Sequence, residues 1–251
     1  MPLSLNHSQL NNNCGYLELA LGNMFSGKTT HIIRKITEAA DCFNIRPLLV
    51  STDIDNRKAN SDRGITSHSS QFKGLSDKID VHLTKSLQTS IDKLMKYEYI
   101  GIDEFTLFEG KNASVIIDLV TKHHKKVFVA GLSGDSEMEL FGEMYLLIPK
   151  ADNIVFLRAI CKDHLEEMKN KGIATQYFNL PYGSFTYRTS EAKTKIDVGG
   201  SDKYIPLCRY HYNKRKNALK KGQKGMKKKP RVANLRRRYP LRSYTKIRIS
   251  E

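Results

Sequence analysis

Apolar runs alternate with amphipathic stretches through the first 160 residues of the chain. Continuous apolar segments, which are typical of buried strands, occur at residues 15–21, 47–51, 99–103, 126–132 and 153–157. Between them, apolar side chains recur at helical spacing and predict helices at residues 28–40, 87–95 and 113–122. Residues 53–75 are polar and predict a loop. Strands that alternate with helices predict a parallel sheet that is covered on both faces.

A glycine-rich turn separates the first predicted strand from the first predicted helix. The segment from Gly22 to Thr29 fits the pattern G-x-x-x-x-G-K-S/T, in which backbone N–H groups cradle phosphates at a helix N-terminus. Lys28 would supply charge to the β- and γ-phosphates, and the Thr29 hydroxyl would bind Mg²⁺. The strand before and the helix after this turn are the context that the motif requires. We therefore predict an ATP and Mg²⁺ site formed by Gly22, Asn23, Met24, Phe25, Ser26, Gly27, Lys28 and Thr29.

Two adjacent acids follow the strand predicted at residues 99–103. Asp103 is suited to the Mg²⁺ shell, as in P-loop enzymes generally. Glu104 is suited to accept a proton from a hydroxyl or to position a water. Together with the phosphate cradle, these acids predict transfer of a γ-phosphoryl group. The residues alone leave open whether the acceptor is water or an alcohol.

Two C-x-x-H pairs flank a segment that has little apolar periodicity. They are Cys161 with His164, and Cys208 with His211. Two cysteines and two histidines form a closed tetrahedral shell for Zn²⁺, so these four residues predict a structural zinc site that joins the ends of a loop over residues 165–207. One such pair alone would be weak support. Cys14 and Cys42 lack partners at this spacing, and we expect them to be packing residues.

The net charge of +16 is concentrated at the C-terminus. Residues 214–248 contain sixteen Lys and Arg and no acid, and residues 1–213 are close to neutral. This composition predicts a disordered basic tail. A nuclear-import signal, nonspecific binding to nucleic acid and a solvated tail all fit it.

The remaining composition excludes several classes of protein. With 39% apolar residues and 251 residues in all, the chain can bury a core without disulfides. We find no signal peptide and no apolar run of the ~20 residues that a membrane span needs. We expect an intracellular, cytoplasmic protein without a membrane partner, and the basic tail leaves nuclear localisation open.

The ordered set of motifs resembles the thymidine kinases of the P-loop, zinc-lasso family, also called type II thymidine kinases. The resemblance covers about residues 15–212 and includes the P-loop and the Gly-Ile-Asp-Glu segment that ends at Glu104. Further matches, which lie mostly in the predicted lasso, are residues 55–57, 131–132, 140–142, 185–188, 199–204 and 208–211.

The resemblance implies a role for each matching position. Glu104 would be the general base, and Asp55, Asn56 and Arg57 would lie near the nucleotide, with Arg57 stabilising charge on the transferred group. The implied contacts to thymidine are Met24, Leu132 and Thr186 near the methyl group, Phe141 as an aromatic wall, and the lasso residues Lys195, Ile196, Asp197, Val198, Gly199 and Tyr204. A homotetramer and feedback inhibition by dTTP are implied in the same way.

The chain departs from the family pattern in four places. Thr106 and Leu107 stand near positions that usually carry a Gln and an aromatic residue, and Ser136 stands where many members place an aromatic over the base. The segment between His164 and Phe185 is longer than usual. His164 replaces a more usual Cys, although imidazole is an acceptable zinc ligand.

We therefore predict an α/β fold: a RecA-like P-loop parallel sheet flanked by helices, with a small zinc-binding lasso domain and a disordered basic tail. The predicted divisions are a disordered N-terminus at 1–14, a kinase domain at 15–158, the lasso domain at 159–213 and the tail at 214–251. The predicted function is ATP-dependent phosphorylation of the 5′-hydroxyl of thymidine to dTMP. The alternatives are a nucleic-acid-associated P-loop ATPase anchored by the tail, which would carry further signature elements, and a non-catalytic nucleotide-binding relic, which the intact Lys28, Thr29, Asp103 and Glu104 argue against.

Overall fold

A computed structural model describes residues 14–52, 78–173, 181–189 and 203–226 of the chain, with side chains described up to residue 219. Its main feature is a six-stranded sheet in the order β3-β2-β4-β5-β1-β6. All neighbouring strands of this sheet run parallel. The strands are β1 (Tyr16–Gly22), β2 (Leu48–Thr52), β3 (Asp80–Thr84), β4 (Tyr99–Ile102), β5 (Lys126–Leu132) and β6 (Asn153–Leu157). The predicted parallel α/β sheet is confirmed.

Helices cover both faces of the sheet. On one face lies α1 (Lys28–Phe43), whose Ile32, Ile33 and Ile36 are fully buried against the strands. Burial of each such side chain stabilises the fold by about 1.5–3 kcal/mol. The opposite face packs against short 3₁₀ turns and three helices, which are α2 (Ile91–Leu94), α3 (Ala113–Thr121) and α4 (Met144–Leu147).

A glycine allows α1 to approach the sheet closely. A Cβ atom at Gly101 of β4 would lie 2.8 Å from Cγ2 of Ile32, a distance that well-packed atoms do not adopt. The glycine of the Gly-Ile-Asp-Glu segment therefore has a packing role. Because Gly101 has no side chain, α1 packs directly on β4, next to the end of the strand that Asp103 follows.

Small elements follow the main sheet. Two antiparallel pairs join β7 (Ala159–Ile160) to β8 (Tyr182–Gly183) and β9 (Phe185–Arg188) to β10 (Tyr204–Leu207). The helix α5 (Lys162–Asn170) lies between β7 and β8 in the sequence. A separate buried cluster, containing Cys161, Tyr187, Ile205, Leu207 and Tyr212, packs β9 and β10 against the residue that follows β7.

The last helix, α6 (Arg209–Met226), extends beyond the predicted start of the tail. The chain divides into two compact units, Met1–Asn213 and Lys214–Glu251, and the boundary falls where the charge pattern changes. The disorder predicted from residue 214 is corrected for residues 214–226, which are helical. Ala, Leu, Lys and Gln in this stretch favour helix, which explains the extension. Residues 227–251 lie outside the described part of the chain.

Two other differences concern elements with weak apolar patterns. The edge strand β3 was not predicted, because its polar residues Asp80, His82 and Thr84 interrupt the apolar ones. The helix predicted at residues 87–95 is a 3₁₀ turn at Leu87–Ser90 followed by the single turn of α2. The loop predicted at residues 53–75 lies outside the described residues. Within the described residues, no helix has the length and apolarity needed to cross a bilayer.

A buried carboxylate links β1 to α1. The side chain of Glu18 is 2% exposed, and its oxygens accept hydrogen bonds from Tyr16 Oη at 3.0 Å, His31 Nε2 at 2.8 Å and Asn153 Nδ2 at 2.9 Å. Lys35 Nζ lies 3.7 Å away. Burial alone would raise the pKa of Glu18, but these donors and the Lys35 charge lower it to about 2. The ionised form is therefore the stable one in the folded chain.

We expect Glu18→Gln to destabilise the protein by about 3 kcal/mol at pH 7, because the folded state prefers the carboxylate by that order of free energy. The folded pKa lies below the unfolded one, so the contribution is present above about pH 5 and is lost as the pH falls toward 2. Urea unfolding at several pH values measures it. Glu38→Gln is the control, because Glu38 forms an exposed pair with Arg34, whose loss should cost less than about 0.5 kcal/mol. Equal effects of the two variants would contradict the account.

Candidate active site

The P-loop follows β1 at the carboxyl edge of the sheet. Phe25 and Gly27 have positive φ angles of 65° and 85°, and Gly27 adopts the left-handed conformation that favours glycine. At Gly22, a Cβ atom would lie 2.4 Å from the carbonyl oxygen of Leu157. Both glycines of the motif are thus required by local geometry, and α1 begins directly after the loop at Lys28. The loop therefore lies at the helix N-terminus, where anions are stabilised.

Two polar side chains of the loop fold back onto its own backbone. Ser26 Oγ and Lys28 Nζ donate hydrogen bonds to the carbonyl oxygen of Asn23 at 2.8 Å and 2.6 Å. Burial lowers the pKa of Lys28 to about 8, although the nearby carboxylates of Asp103 and Glu104 oppose this shift. A poorly solvated ammonium group at a helix N-terminus is suited to bind phosphate oxygens.

Thr29 and Asp103 meet although they are 74 residues apart. Thr29 Oγ1 donates a hydrogen bond to Asp103 Oδ2 at 2.9 Å. Asp103 is 6% exposed, and its backbone N–H donates to the carbonyl oxygen of Val50 at 2.8 Å. A hydroxyl and a carboxylate oxygen in contact are the hard ligands that Mg²⁺ prefers. These residues therefore fit the predicted Mg²⁺ site.

Glu104 follows Asp103 in an uncommon backbone conformation. Its φ angle is 54°, which costs free energy for a residue with a Cβ and is found often at functional sites. Its backbone N–H donates to Asp103 Oδ1 at 2.9 Å, and a 3₁₀ turn at Phe105–Leu107 follows. Phe105 and Thr106 are buried in that turn. The departure from the family pattern at Thr106 therefore affects core packing directly.

A cavity of about 380 Å³ lies beside the P-loop. Asn23 and Thr186, both predicted site residues, line it together with Ser133, Asp135 and Arg209. Sequence reasoning did not single out the last three. Their places in the sequence could have indicated them. Ser133 directly follows Leu132, Asp135 precedes Ser136, and Arg209 directly follows Cys208.

A hydrogen bond connects the P-loop to strand β9. The backbone N–H of Met24 donates to Thr186 Oγ1 of β9 at 3.1 Å. The structure thus brings together two of the residues that the resemblance implies near the thymine methyl group. Leu132 is half-buried at the end of β5 and Phe141 is half-buried, but neither lines the cavity. Tyr204 is buried, and its ring centroid lies 5.7 Å from the Arg188 guanidinium carbon.

Three of the four predicted zinc ligands form a cluster. His211 Nδ1 lies 3.1 Å from Cys208 Sγ and 3.5 Å from Cys161 Sγ. The ligand atoms of these three residues lie within 4.8 Å of one another. The fourth predicted ligand, His164, is exposed and falls outside this cluster, although its ring centroid is 5.5 Å from that of His211.

The two thiols of this cluster differ in their pKa. Burial raises the pKa of Cys161. Burial would also raise that of Cys208, but hydrogen bonds from His211 lower it below its usual value. Two thiols beside an imidazole are the donor set that Zn²⁺ prefers. The cluster therefore fits the predicted metal, whereas Cys14 and Cys42 are exposed, so their predicted packing role was wrong.

Several predicted site residues lie outside the described part of the chain. They are Asp55, Asn56 and Arg57, and the lasso segment Lys195, Ile196, Asp197, Val198 and Gly199. Their roles stay predictions that rest on the resemblance.

Comparisons with known proteins identify the family of the chain. The family model for thymidine kinase matches residues 15–212. The chain belongs to the thymidine kinase family. A thymidine kinase from Amsacta moorei entomopoxvirus is 34% identical over 197 residues, 78% of this chain and 97% of that protein. A thymidine kinase from Acanthamoeba polyphaga mimivirus is 31% identical over 207 residues, 79% of this chain and 83% of the relative. One from Oryza sativa subsp. japonica is 30% identical over 203 residues, 79% of this chain and 66% of the relative.

Family membership makes the chain a kinase, a class of transferase. The matched residues include the whole P-loop, Asp103, Glu104 and the Cys/His cluster. The recognition based on the motif order is therefore confirmed. The helix α6 begins at Arg209 within the matched range and continues beyond it to Met226.

We expect the affinity of this thymidine kinase for ATP to be nearly constant up to about pH 7 and to fall as the pH rises through about 8. Lys28 loses its proton in that range, and a neutral amine binds phosphate more weakly than an ammonium group. Titration of nucleotide binding between pH 6.5 and 9.5 tests this. Lys28→Met should bind weakly with little dependence on pH. A wild-type affinity that stays constant across the range would contradict the assignment.

Proposed function

We propose that this kinase transfers the γ-phosphoryl group of ATP to the 5′-hydroxyl of thymidine and forms dTMP and ADP. The observation that carries the proposal is the contact between Thr29 and Asp103 beside the P-loop, with Glu104 next in sequence. This edge of the sheet combines a phosphate cradle, a metal-binding pair and a base, and γ-phosphoryl transfer requires all three. Family membership favours thymidine as the acceptor.

The chemical step requires a base beside the acceptor hydroxyl. The Glu104 carboxylate accepts the 5′-hydroxyl proton as the oxygen forms its bond to the γ-phosphorus. The bond between that phosphorus and the bridging oxygen to the β-phosphate breaks, and its electron pair leaves with ADP. Because positioning and charge stabilisation dominate such reactions, the left-handed backbone at Glu104 matters as much as its basicity.

Charge on the phosphates is balanced by residues of the P-loop edge. Lys28 releases the Asn23 carbonyl oxygen and binds the β- and γ-phosphates. Mg²⁺ held by the oxygens of Thr29 and Asp103 would supply further positive charge to the triphosphate. Arg57, with Asp55 and Asn56, is proposed near the nucleotide on the resemblance alone.

The nucleoside is proposed to bind between the P-loop and the lasso. Support comes from the Met24 to Thr186 hydrogen bond and from the cavity beside it. Leu132, Phe141, Tyr204 and residues 195–199 are proposed contacts on the resemblance. In this scheme residues 15–158 form the kinase domain and residues 159–213 form the lasso, which closes over the base and excludes water.

The Cys/His cluster is proposed as a structural zinc site. Cys161, Cys208 and His211 would supply three ligands, and His164 the fourth. The His164 ring lies beside the cluster, with its centroid 5.5 Å from that of His211. Zn²⁺ at this position would join α5 to the end of β10 and fix both ends of the lasso.

Other proposals rest on the resemblance or on composition. They are a homotetramer, inhibition by dTTP, an intracellular and cytoplasmic location, and binding of nucleic acid or an import factor by residues 214–248. No observation supports the alternative of a nucleic-acid-stimulated ATPase, and we do not propose it.

We expect phosphoryl transfer from labelled ATP with Mg²⁺ to thymidine, and much less to the other three common deoxynucleosides. Glu104→Gln should lower kcat by 10²-fold or more, because general base catalysis contributes about 10²–10⁴-fold. Glu109→Gln is the matched control, since Glu109 is an exposed acid in the same loop. It should retain wild-type activity.

Two results would contradict the proposal. If the protein hydrolyses ATP in a DNA-stimulated reaction and phosphorylates no nucleoside, it is an ATPase and the proposed kinase reaction is wrong. Thymidine phosphorylation at the wild-type rate by Glu104→Gln would leave the reaction in place and remove Glu104 as the base.

We expect the purified protein to bind one Zn²⁺ per chain. Cys161→Ser and Cys208→Ser should lose most of the metal and lower the Tm, because each removes a thiolate ligand. Cys14→Ser and Cys42→Ser are controls, since both of these thiols are exposed and away from the cluster. Metal content and thermal unfolding measure the effect. Equal zinc in all four variants would disprove the site.

A further inference from the structure

A carboxylate of α5 faces the far side of the clustered imidazole. His211 is 2% exposed, and its Nδ1 faces the thiols of Cys161 and Cys208. Its other ring nitrogen, Nε2, lies 3.2 Å from Glu167 Oε1. The separation is that of an ion pair, although the two atoms are not aligned for a full hydrogen bond. Among the described residues, Nε2 has no hydrogen-bond partner other than this carboxylate.

We propose that Glu167 is a positioning residue for the metal site: it holds the Nε2–H of His211 and directs Nδ1 toward the metal. The inference rests on the proposed zinc site. It assigns a role to the longer segment after His164, for which the resemblance provides no counterpart.

The local sequence explains how α5 places this carboxylate. The helix begins directly after Cys161, and the backbone N–H of Leu165 donates to the Cys161 carbonyl oxygen at 3.0 Å. Residues three apart lie on the same face of a helix, so His164 and Glu167 share one face. Both lie near the His211 ring. Two contacts with the His211 ring, one from His164 and one from Glu167, therefore show which face of α5 points toward the cluster.

The chemistry of imidazole gives this contact a function. A neutral imidazole that binds a metal through one nitrogen carries its proton on the other. An acceptor for that proton fixes the tautomer and the ring orientation, and it makes the ligand more basic. Because His211 is almost fully buried, solvent cannot readily replace the acceptor. Glu167 itself is 41% exposed, so it reaches the ring without burying an unpaired charge.

A simple surface ion pair would predict a different behaviour. Such a pair contributes little to stability and nothing to metal affinity. The two explanations are separated by measurements on the metal itself, since a carboxylate behind a metal-binding histidine typically changes affinity by about 10–100-fold.

The test uses the full-length protein with Glu167→Ala, Glu167→Gln and Glu166→Ala. Zinc affinity is measured by competition with a chromophoric chelator, and Co²⁺ loading is followed by visible absorption, which reports ligand geometry. We expect Glu167→Ala to lose about 10–100-fold in zinc affinity and to change the Co²⁺ spectrum. Glu167→Gln keeps an acceptor oxygen and should lose less. Glu166 is exposed on the neighbouring position of α5, and Glu166→Ala should match the wild type.

The possible failures are distinguishable. Wild-type zinc affinity and an unchanged Co²⁺ spectrum in Glu167→Ala would overturn the role of Glu167 while leaving the zinc site intact. A wild-type protein that binds no zinc would overturn both. Because α5 lies on the surface, circular dichroism on the Gln variant checks that the helix is retained, and a loss of affinity in that folded variant still supports the proposal.

Discussion

The hydrogen bond from Thr29 Oγ1 to Asp103 Oδ2, 2.9 Å long, is the contact on which the account of this kinase depends. It joins the start of α1 to the end of β4. The two chain segments meet because β4, β5 and β1 are consecutive parallel strands whose carboxyl ends share one edge of the sheet. Gly101 allows α1 to pack closely on β4. The contact between Thr29 and Asp103, the proposed metal-binding pair, is thus a consequence of how the core packs, and Glu104 directly follows Asp103.

The second half of the site depends on contacts that hold the lasso elements against this edge. Met24 of the P-loop donates to Thr186 of β9, and the cavity lies beside that contact. At the far end, the thiols of Cys161 and Cys208 and the imidazole of His211 bring the two ends of the lasso together. A zinc ion there would stabilise an arrangement that has only a small apolar cluster of its own. We therefore regard the metal as structural, outside the chemical step.

Much of the fold and part of the site could be predicted from the sequence. Buried parallel strands are continuous apolar runs, which made β1, β2, β4 and β5 recognisable. The edge strand β6 is a similar run although most of its residues are exposed, whereas the edge strand β3 mixes polar and apolar residues and was not predicted. Spacing predicted the P-loop, which depends on local geometry, and the three members of the Cys/His cluster, because two C-x-x-H pairs flank one segment of the chain. Asp135, Arg209 and Glu167 could not be predicted, since their roles depend on which elements pack together.

A double-mutant cycle between Thr29 and Asp103 tests the central contact most directly. Affinity for ATP would be measured with and without Mg²⁺ in Thr29→Val, Asp103→Asn and the combined variant. If both side chains hold the same Mg²⁺, the double variant should lose little more Mg²⁺-dependent affinity than the more damaging single variant, because coupled residues are not additive. If the affinity losses of the two single variants multiply in the double variant, the side chains act independently, which would contradict the account. A Mg²⁺-dependent affinity that is the same in all three variants and the wild type would also contradict it.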